Sequence, residues 1–359
     1  MKNLLITGGA GFIGANFIHY LLKQHQGVNL VVLDALTYAG NKQNLAQEIT
    51  RQTITFVHGN ICDQALIESL LAQHNIDCIV HFAAESHVDR SITGPDVFIE
   101  ANIVGTHSLL KAARKVWEIN GSYAGKRFHH VSTDEVYGTL GKDDPAFTET
   151  TAYAPNSPYA ASKAASDHLV RAYHHTYGMP VTTSNCSNNY GPYQFPEKLL
   201  PLCLLNILHG KPLPIYGDGQ QIRDWLHVDD HSRGIDLILQ LGLVGQTYNI
   251  GGNNEKANLD TVKLLCEIVD EVLVADAALL RRFSASMPAN NSASSKLISF
   301  VADRKGHDTR YAINAAKISQ QLGYSPKISF KDGLGATVRW YLQNEVWWQS
   351  VLDNSYRQQ

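Results

Sequence analysis

The chain has 359 residues, 44% hydrophobic and 18% charged, with a formal net charge of -3; this is enough for a large core and two lobes, and gives no basis for nucleic-acid or membrane-surface binding. Five cysteines, Cys62, Cys78, Cys186, Cys203 and Cys266, form no CxxC and no metal-ligand spacing, and their odd number argues against a disulfide framework. A reducing cytoplasm and no metal site are expected. The apolar opening runs straight into Thr7-Gly8-Gly9, too short for a signal-peptide core or a membrane span.

In chain order, residues 4–6 read as a buried strand, 8–14 as a turn and 15–24 as a helix with Phe17, Ile18, Leu21 and Leu22 on one apolar face. Gly8-Gly9-Ala10-Gly11-Phe12-Ile13-Gly14 satisfies GxxGxxG and, from Gly9, GxGxxG. Its position gives it meaning: a glycine turn after the first strand lets backbone approach a pyrophosphate, and the next helix offers free N–H groups and its positive end. A second strand, 30–33, ends at Asp34, placed to bind the adenosine ribose hydroxyls and repel a 2′-phosphate, which favours NAD over NADP. Strands at 53–57 and 78–82 follow, with Asn60-Ile61-Cys62-Asp63 placed near the adenine and Ala83-Ala84-Glu85-Ser86-His87 along the cofactor. Ala83 and Ala84 serve close helix–strand packing equally well.

Residues 128–132 read as a further strand, after which Thr133-Asp134-Glu135 precedes the turn at Gly138. Consecutive strand residues face opposite ways, so two neighbouring carboxylates share one substrate only if the strand has ended, at the carboxyl edge where such sheets bind ligands. Tyr159 and Lys163 stand four apart; on a helix they share a face, and the ammonium favours phenolate, suiting Tyr159 to take a proton from a sugar hydroxyl. Two long helices are expected at 96–117 and 157–177. Strands alternating with helices predict an α/β fold, a Rossmann-type doubly wound parallel sheet over 1–190. From 191 a Pro- and Gly-rich stretch begins a smaller, interleaved C-terminal lobe over 191–359, with one strand, 246–250, returning to the main sheet. Residues 284–296, rich in Ser and Asn, read as a mobile surface loop.

These pieces resemble the extended short-chain dehydrogenase/reductases and, within that superfamily, the dTDP-glucose 4,6-dehydratases. The resemblance covers nearly the whole chain and rests on TGGAGFIG at 7–14, AAESHVDRSI at 83–92, STDEVYG at 132–138, YAASK at 159–163, NCSNNYGPYQFPEKLLP at 185–201, PIYGDGQQIRDWLHVDD at 214–230 and DRKGHDTRYAI at 303–313. It implies an internal redox cycle on bound NAD: Tyr159 takes the 4-hydroxyl proton as C4 is oxidised, Glu135 removes the C5 proton, Asp134 protonates the departing 6-hydroxyl, Thr133 binds the C4 oxygen, Lys163 supports Tyr159, and hydride returns to C6. It places the cofactor against Gly8, Gly11, Phe12, Ile13, Gly14, Asp34, Thr37, Asn60, Ile61, Ala83, Ala84, Ser86, Tyr159, Lys163 and Asn189. The nucleotide sugar falls against Ser86, Thr133, Asn188, Lys198, Leu199, Pro214, Ile215, Tyr216, Arg223, Asn258 and the stretch from Asp303 to His307. Arg223 suits a diphosphate on chemistry alone, and Tyr216 either stacks on the base or packs in the lobe. Asn60, Lys305 and Asn314 depart from the family pattern. The resemblance also implies a homodimer through a four-helix bundle. The competing readings are a nucleotide-sugar 4-epimerase, which needs no Asp-Glu pair, and a non-catalytic binder of NAD or nucleotide sugar.

Overall fold

The computed structural model describes residues 2–119, 121–303 and 306–358. Its main sheet contains β1 (Asn3–Thr7), β2 (Asn29–Asp34), β3 (Ile54–His58), β4 (Cys78–His81), β5 (Arg127–Thr133), β6 (Val181–Cys186) and, after three strands described below, β10 (Thr247–Ile250). All pairings are parallel, in the order β10-β6-β5-β4-β1-β2-β3. The chain works outward from β1 to β3 and then outward again from β4, so the order reverses between β1 and β4 and opens a crevice at their carboxyl ends.

Strand alternation divides the core. Leu4, Ile6, Val32 and Val80 pack with Phe17, Ile18 and Leu21 of the first helix, Phe12–Gln24, and with Ile235 and Ile238. Leu5, Val31 and Ile79 point the other way, against Ile67, Leu109, Ala113, Trp117 and Val170. The near-continuous apolar runs of β1, β2 and β4 follow from burial on both faces.

The expected 96–117 helix is a composite: an α turn Asp96–Phe98, a π-helical stretch Ile99–Gly105, and an α-helix Thr106–Ile119. In the π stretch Asn102 accepts the Glu85 N–H at 2.9 Å and donates to the Glu85 carbonyl at 3.0 Å and to Ser162 Oγ at 2.8 Å. The wider turn thus ties the loop after β4 to the Pro158–Tyr177 helix, a functional-site use typical of π bulges.

The remaining strands lie outside the main sheet. β7 (Asn188–Tyr190), β9 (Ile222–His227) and β11 (Glu255–Ala257) form one small sheet, and β8 (Leu213–Tyr216) pairs with β12 (Ile298–Val301). Their core joins Trp225 and Tyr190 to the helices Leu199–Leu208, Asn258–Val274 and Phe330–Gln343. The 284–296 stretch is not the free surface loop that its composition suggests. It forms two 3-10 turns, Ser286 and Ser294 are fully buried, and the Ser294 N–H donates to Asp270 at 2.9 Å. Small side chains let this segment press onto the 258–274 helix, where a carboxylate receives it; composition reports neither.

Ile79 is fully buried in the central β4. Ile79→Ala is expected to cost about 2–5 kcal/mol, read as a lower denaturation midpoint at unchanged slope.

Candidate active site

The glycine turn is shaped by close approach. Gly8 has φ +69°, and a Cβ there would sit 2.6 Å from the Ala83 backbone; at Gly14 it would collide with the Gly8 carbonyl. At Gly11 an added Cβ would meet only the Gly8 oxygen, at 3.3 Å, so that position otherwise faces open cleft. No side chain caps the helix that begins at Phe12, which leaves its first N–H groups directed at the same space. Asp34 ends β2 buried, with Oδ2 accepting the Ala10 N–H at 2.9 Å and Oδ1 the Leu36 N–H at 2.8 Å. Burial raises its pKa, against the pull of those two hydrogen bonds. A carboxylate fixed beside an uncapped helix start and a glycine cradle fits the ribose and pyrophosphate of a dinucleotide.

These groups line a cavity of about 340 Å³, within the usual range for small-molecule sites. Its walls include Gly8, Gly11, Phe12, Ile13, Gly14, Asp34, Thr37, Asn60, Ile61, Ala83, Ala84, Ser86, Thr133, Asp134, Glu135, Tyr159, Lys163, Asn188, Asn189 and Lys198. The residues that the resemblance assigns to cofactor and chemistry therefore meet in one cleft, whereas Cys62, Asp63 and His87 of the two flanking stretches stand outside its lining. Asn60 keeps a turn role despite its departure: Oδ1 accepts the Cys62 N–H at 2.9 Å.

The two carboxylates share the cleft because β5 stops at Thr133 and a 3-10 turn, Asp134–Tyr137, begins at once. Thr133 Oγ1 caps that turn by accepting the Glu135 N–H at 3.3 Å, and Gly138 closes it at φ +95°. Asp134 is buried, and its pKa stands well above the ordinary carboxylate range, first through desolvation and next through Glu135; Arg223 and Thr133 pull the other way. Desolvation and the neighbouring carboxylate thus both favour the protonated form of Asp134.

Tyr159 and Lys163 open the Pro158–Tyr177 helix, which Ser157 caps, and both are buried. Lys163 Nζ donates to the Val131 carbonyl at 2.9 Å. The expectation that Lys163 draws the phenol toward neutral pH needs correction. Burial foremost, and Glu135 next, hold the Tyr159 hydroxyl well above its ordinary value, with the Thr133 hydrogen bond opposing them. Desolvation and a nearby carboxylate outweigh what the helix spacing offers.

The sequence-assigned substrate residues are divided. Ser86, Thr133, Asn188 and Lys198 face the cleft, whereas Leu199, Pro214, Ile215, Tyr216, Arg223, Asn258, Asp303 and His307 stand outside its lining. Ile215 is a core residue of the second lobe, and Tyr216 is exposed, edge-on to His307 at 6.0 Å. His307 Nδ1 lies 2.6 Å from Asp303 Oδ1; Lys305 falls outside the described residues. Arg223 is buried rather than presented to solvent. Its guanidinium donates to the Ile222 carbonyl at 2.7 Å and the Asp308 carbonyl at 3.0 Å, and lies 4.3 Å over the Tyr311 ring. Cleft residues that the motifs did not single out include Tyr38, Gln194, Phe195 and Glu197. Glu197, 3.3 Å from the Arg90 guanidinium, was within reach of the sequence, since it adjoins Lys198 in one motif. Tyr38 carries no such signal.

Glu135→Gln is expected to lower the Asp134 titration midpoint, because a neighbouring like charge disfavours ionisation. Infrared difference spectra against Asp134→Asn read that midpoint; an ordinary carboxylate value in the unaltered protein contradicts the assignment.

Comparison with known proteins agrees with this geometry. The GDP-mannose 4,6 dehydratase family profile matches residues 5–337. A dTDP-glucose 4,6-dehydratase of Neisseria meningitidis is 52% identical, over 99% of this chain and 98% of its own length. The crystal structure of the Streptomyces venezuelae dTDP-glucose 4,6-dehydratase with NAD bound superposes with a TM-score of 0.84 at 47% identity, covering 98% of this chain and all (100%) of that one. A Thermotoga maritima UDP-glucose 4-epimerase shares the fold, with a TM-score of 0.80, but only 27% identity, over 96% of this chain and 100% of its own. Fold similarity barely separates the two activities, while sequence identity does. The chain belongs to the GDP-mannose 4,6-dehydratase family and, within it, to the dTDP-glucose 4,6-dehydratases.

Proposed function

We propose that this chain is an NAD-dependent hydro-lyase that converts dTDP-glucose into dTDP-4-dehydro-6-deoxyglucose and water. The observation that carries the reading is the Asp134-Glu135 turn, which brings a buried protonated acid and a second carboxylate into the cleft that also holds Tyr159. An epimerase would have no use for that pair. Gly8, Gly11 to Gly14, Asp34 and the 83–86 loop hold the dinucleotide, which when bound supplies the positive ring that accepts hydride and later gives it back.

The chain's own groups then divide the proton work. Tyr159 takes the 4-hydroxyl proton; burial raises its pKa, and the Lys163 ammonium one helical turn away would favour the phenolate. Thr133 holds the C4 oxygen. Once C4 is a ketone, the C5 proton is acidic and Glu135 removes it; Asp134 donates its proton to the 6-hydroxyl as the C–O bond breaks. The order is compelled, since without the ketone no group on the sugar stabilises charge at C5. Asp134 ends the step ionised and Glu135 protonated, so the like-charge penalty at Asp134 falls as its proton leaves. Residues 191–359, apart from β10, act in this reading as the substrate lobe, with Lys198 reaching the sugar nucleotide from the cleft side beside Asn188 of β7.

We also assign the protein to the cytoplasm, in keeping with five free cysteines, and as a homodimer. Among the described residues no helix is long and apolar enough to cross a membrane. Val97, Ile99 and Val104 are exposed on the 96–119 segment, beside the Pro158–Tyr177 helix with which it would build a four-helix bundle.

Incubation with dTDP-glucose is expected to yield the alkali-induced absorbance of a 4-keto sugar without net consumption of NAD; dTDP-galactose as product overturns the reading in favour of an epimerase. Glu135→Gln and Tyr159→Phe should each lower turnover by about 10²–10⁴-fold; unchanged turnover would remove that residue from the catalytic set, and no turnover in the unaltered protein, with its function in a cell untouched by either change, would identify a non-catalytic binder. Light scattering at micromolar protein should give twice the mass of one chain.

A further inference from the structure

One turn beyond Lys163, the Pro158–Tyr177 helix carries a buried carboxylate that the reaction above does not use. Tyr159, Lys163 and Asp167 recur at four-residue intervals, so they share a helix face, and all three are buried. Asp167 Oδ2 accepts the Ser132 hydroxyl at 2.8 Å and the Tyr153 hydroxyl at 3.0 Å, while Oδ1 lies 3.0 Å from His130 Nε2. Ser132 adjoins Val131, whose carbonyl receives the Lys163 ammonium. Carboxylate and ammonium are thus anchored at consecutive residues of β5.

The surrounding groups leave these two charges to answer each other. From β5, His130 is kept neutral by burial and then by the Lys163 charge; from β4, His81 is kept neutral by burial, with His130 and Lys163 adding to it. Burial holds the Cys186 thiol of β6 and the Tyr153, Tyr137 and Tyr159 hydroxyls in their protonated forms. His168, the next residue on the helix, acts on Asp167 only weakly, as the last of the groups that lower it. Desolvation pushes the Lys163 ammonium toward its neutral form, and Asp167 leads the groups that oppose it. Burial in turn raises Asp167 to about 6, and Lys163 leads the groups that restrain it, ahead of Ser132 and Tyr153.

We propose that Asp167 is a positioning residue for Lys163: its carboxylate, held by Ser132 one residue from the Val131 carbonyl that receives the ammonium, places a buried negative charge one helical turn from Lys163. The proposal relies on the reading above only in treating Lys163 as part of the machinery.

The test is a titration of the cofactor-free protein labelled with ¹⁵Nζ-lysine, the Lys163 resonance being identified by its loss in Lys163→Arg. In Asp167→Asn the Lys163 midpoint is expected to fall by about one pH unit or more, and the alkaline limb of turnover to move to lower pH with it. Asp167→Glu, which keeps the charge, should bring both back toward the unaltered values. An unmoved midpoint overturns the proposal, as does a turnover loss equal at every pH, which marks a purely structural carboxylate. The unaltered protein gives a second readout that needs no variant to fold: acidification through about pH 6 should shift the Lys163 resonance as Asp167 takes up its proton, and a flat trace there also overturns it. The two resonance titrations are made without sugar nucleotide, so they stand whether or not dTDP-glucose is turned over.

Discussion

A parallel sheet buried on both faces can be reached only at the ends of its strands, and the carboxyl end is where the chain leaves each strand to form a loop. That constraint governs this molecule. β1, β2, β4 and β5 deliver the glycine turn, Asp34, the 83–86 loop and Thr133 to one edge, and the reversal of strand order between β1 and β4 opens the crevice that they line. Groups placed there are also desolvated: Thr133, Asp134, Tyr159 and Lys163 are all buried.

Desolvation then sets the chemistry. Two adjacent carboxylates in a buried turn are disfavoured as a doubly charged pair, so burial and Glu135 keep the Asp134 proton in place. The same burial works against Tyr159, whose phenol is harder to ionise than its spacing from Lys163 suggests. A site that protonates its acid without further help but needs cationic help for its base is suited to a sequence in which oxidation comes first. Elimination without oxidation would have no way to begin.

Among the described residues, β10 is the one strand after residue 190 that joins the main sheet. Asp224 on β9 accepts the Gly252 and Asn254 N–H groups at 2.9 and 2.6 Å, and Asp230 accepts those of Lys327 and Ile328, each at 2.9 Å, so buried carboxylates serve as staples between segments far apart in sequence. The C-terminal helices reach back to the cofactor side: Trp347 Nε1 donates to Asn44 Oδ1 at 2.7 Å, Ser350 Oγ to Gln43 at 3.0 Å, and the Tyr341 hydroxyl to the Gln194 carbonyl. These ties hold the 37–45 loop and the 192–198 segment, both of which border the cleft, without adding strands to the main sheet.

By itself the sequence determined what local pattern can carry. Apolar runs separated by glycine and helical periodicity specify a doubly wound sheet; Gly8 to Gly14 with Asp34 specifies a dinucleotide crevice; and the Asp134-Glu135 pair ahead of Tyr159 and Lys163 points to oxidation and proton transfer in one pocket, with elimination implied by the family resemblance. Only the tertiary structure decided how charge and space are shared, because desolvation and long-range contact leave no trace in residue spacing. It made the 96–119 segment turn through a π stretch around Asn102, packed 284–296 onto Asp270, turned Arg223 toward protein carbonyls, raised Tyr159, and bound Asp167 to Ser132. Each of these depends on which distant residue arrives beside a buried polar group, and that is settled only when the layers close.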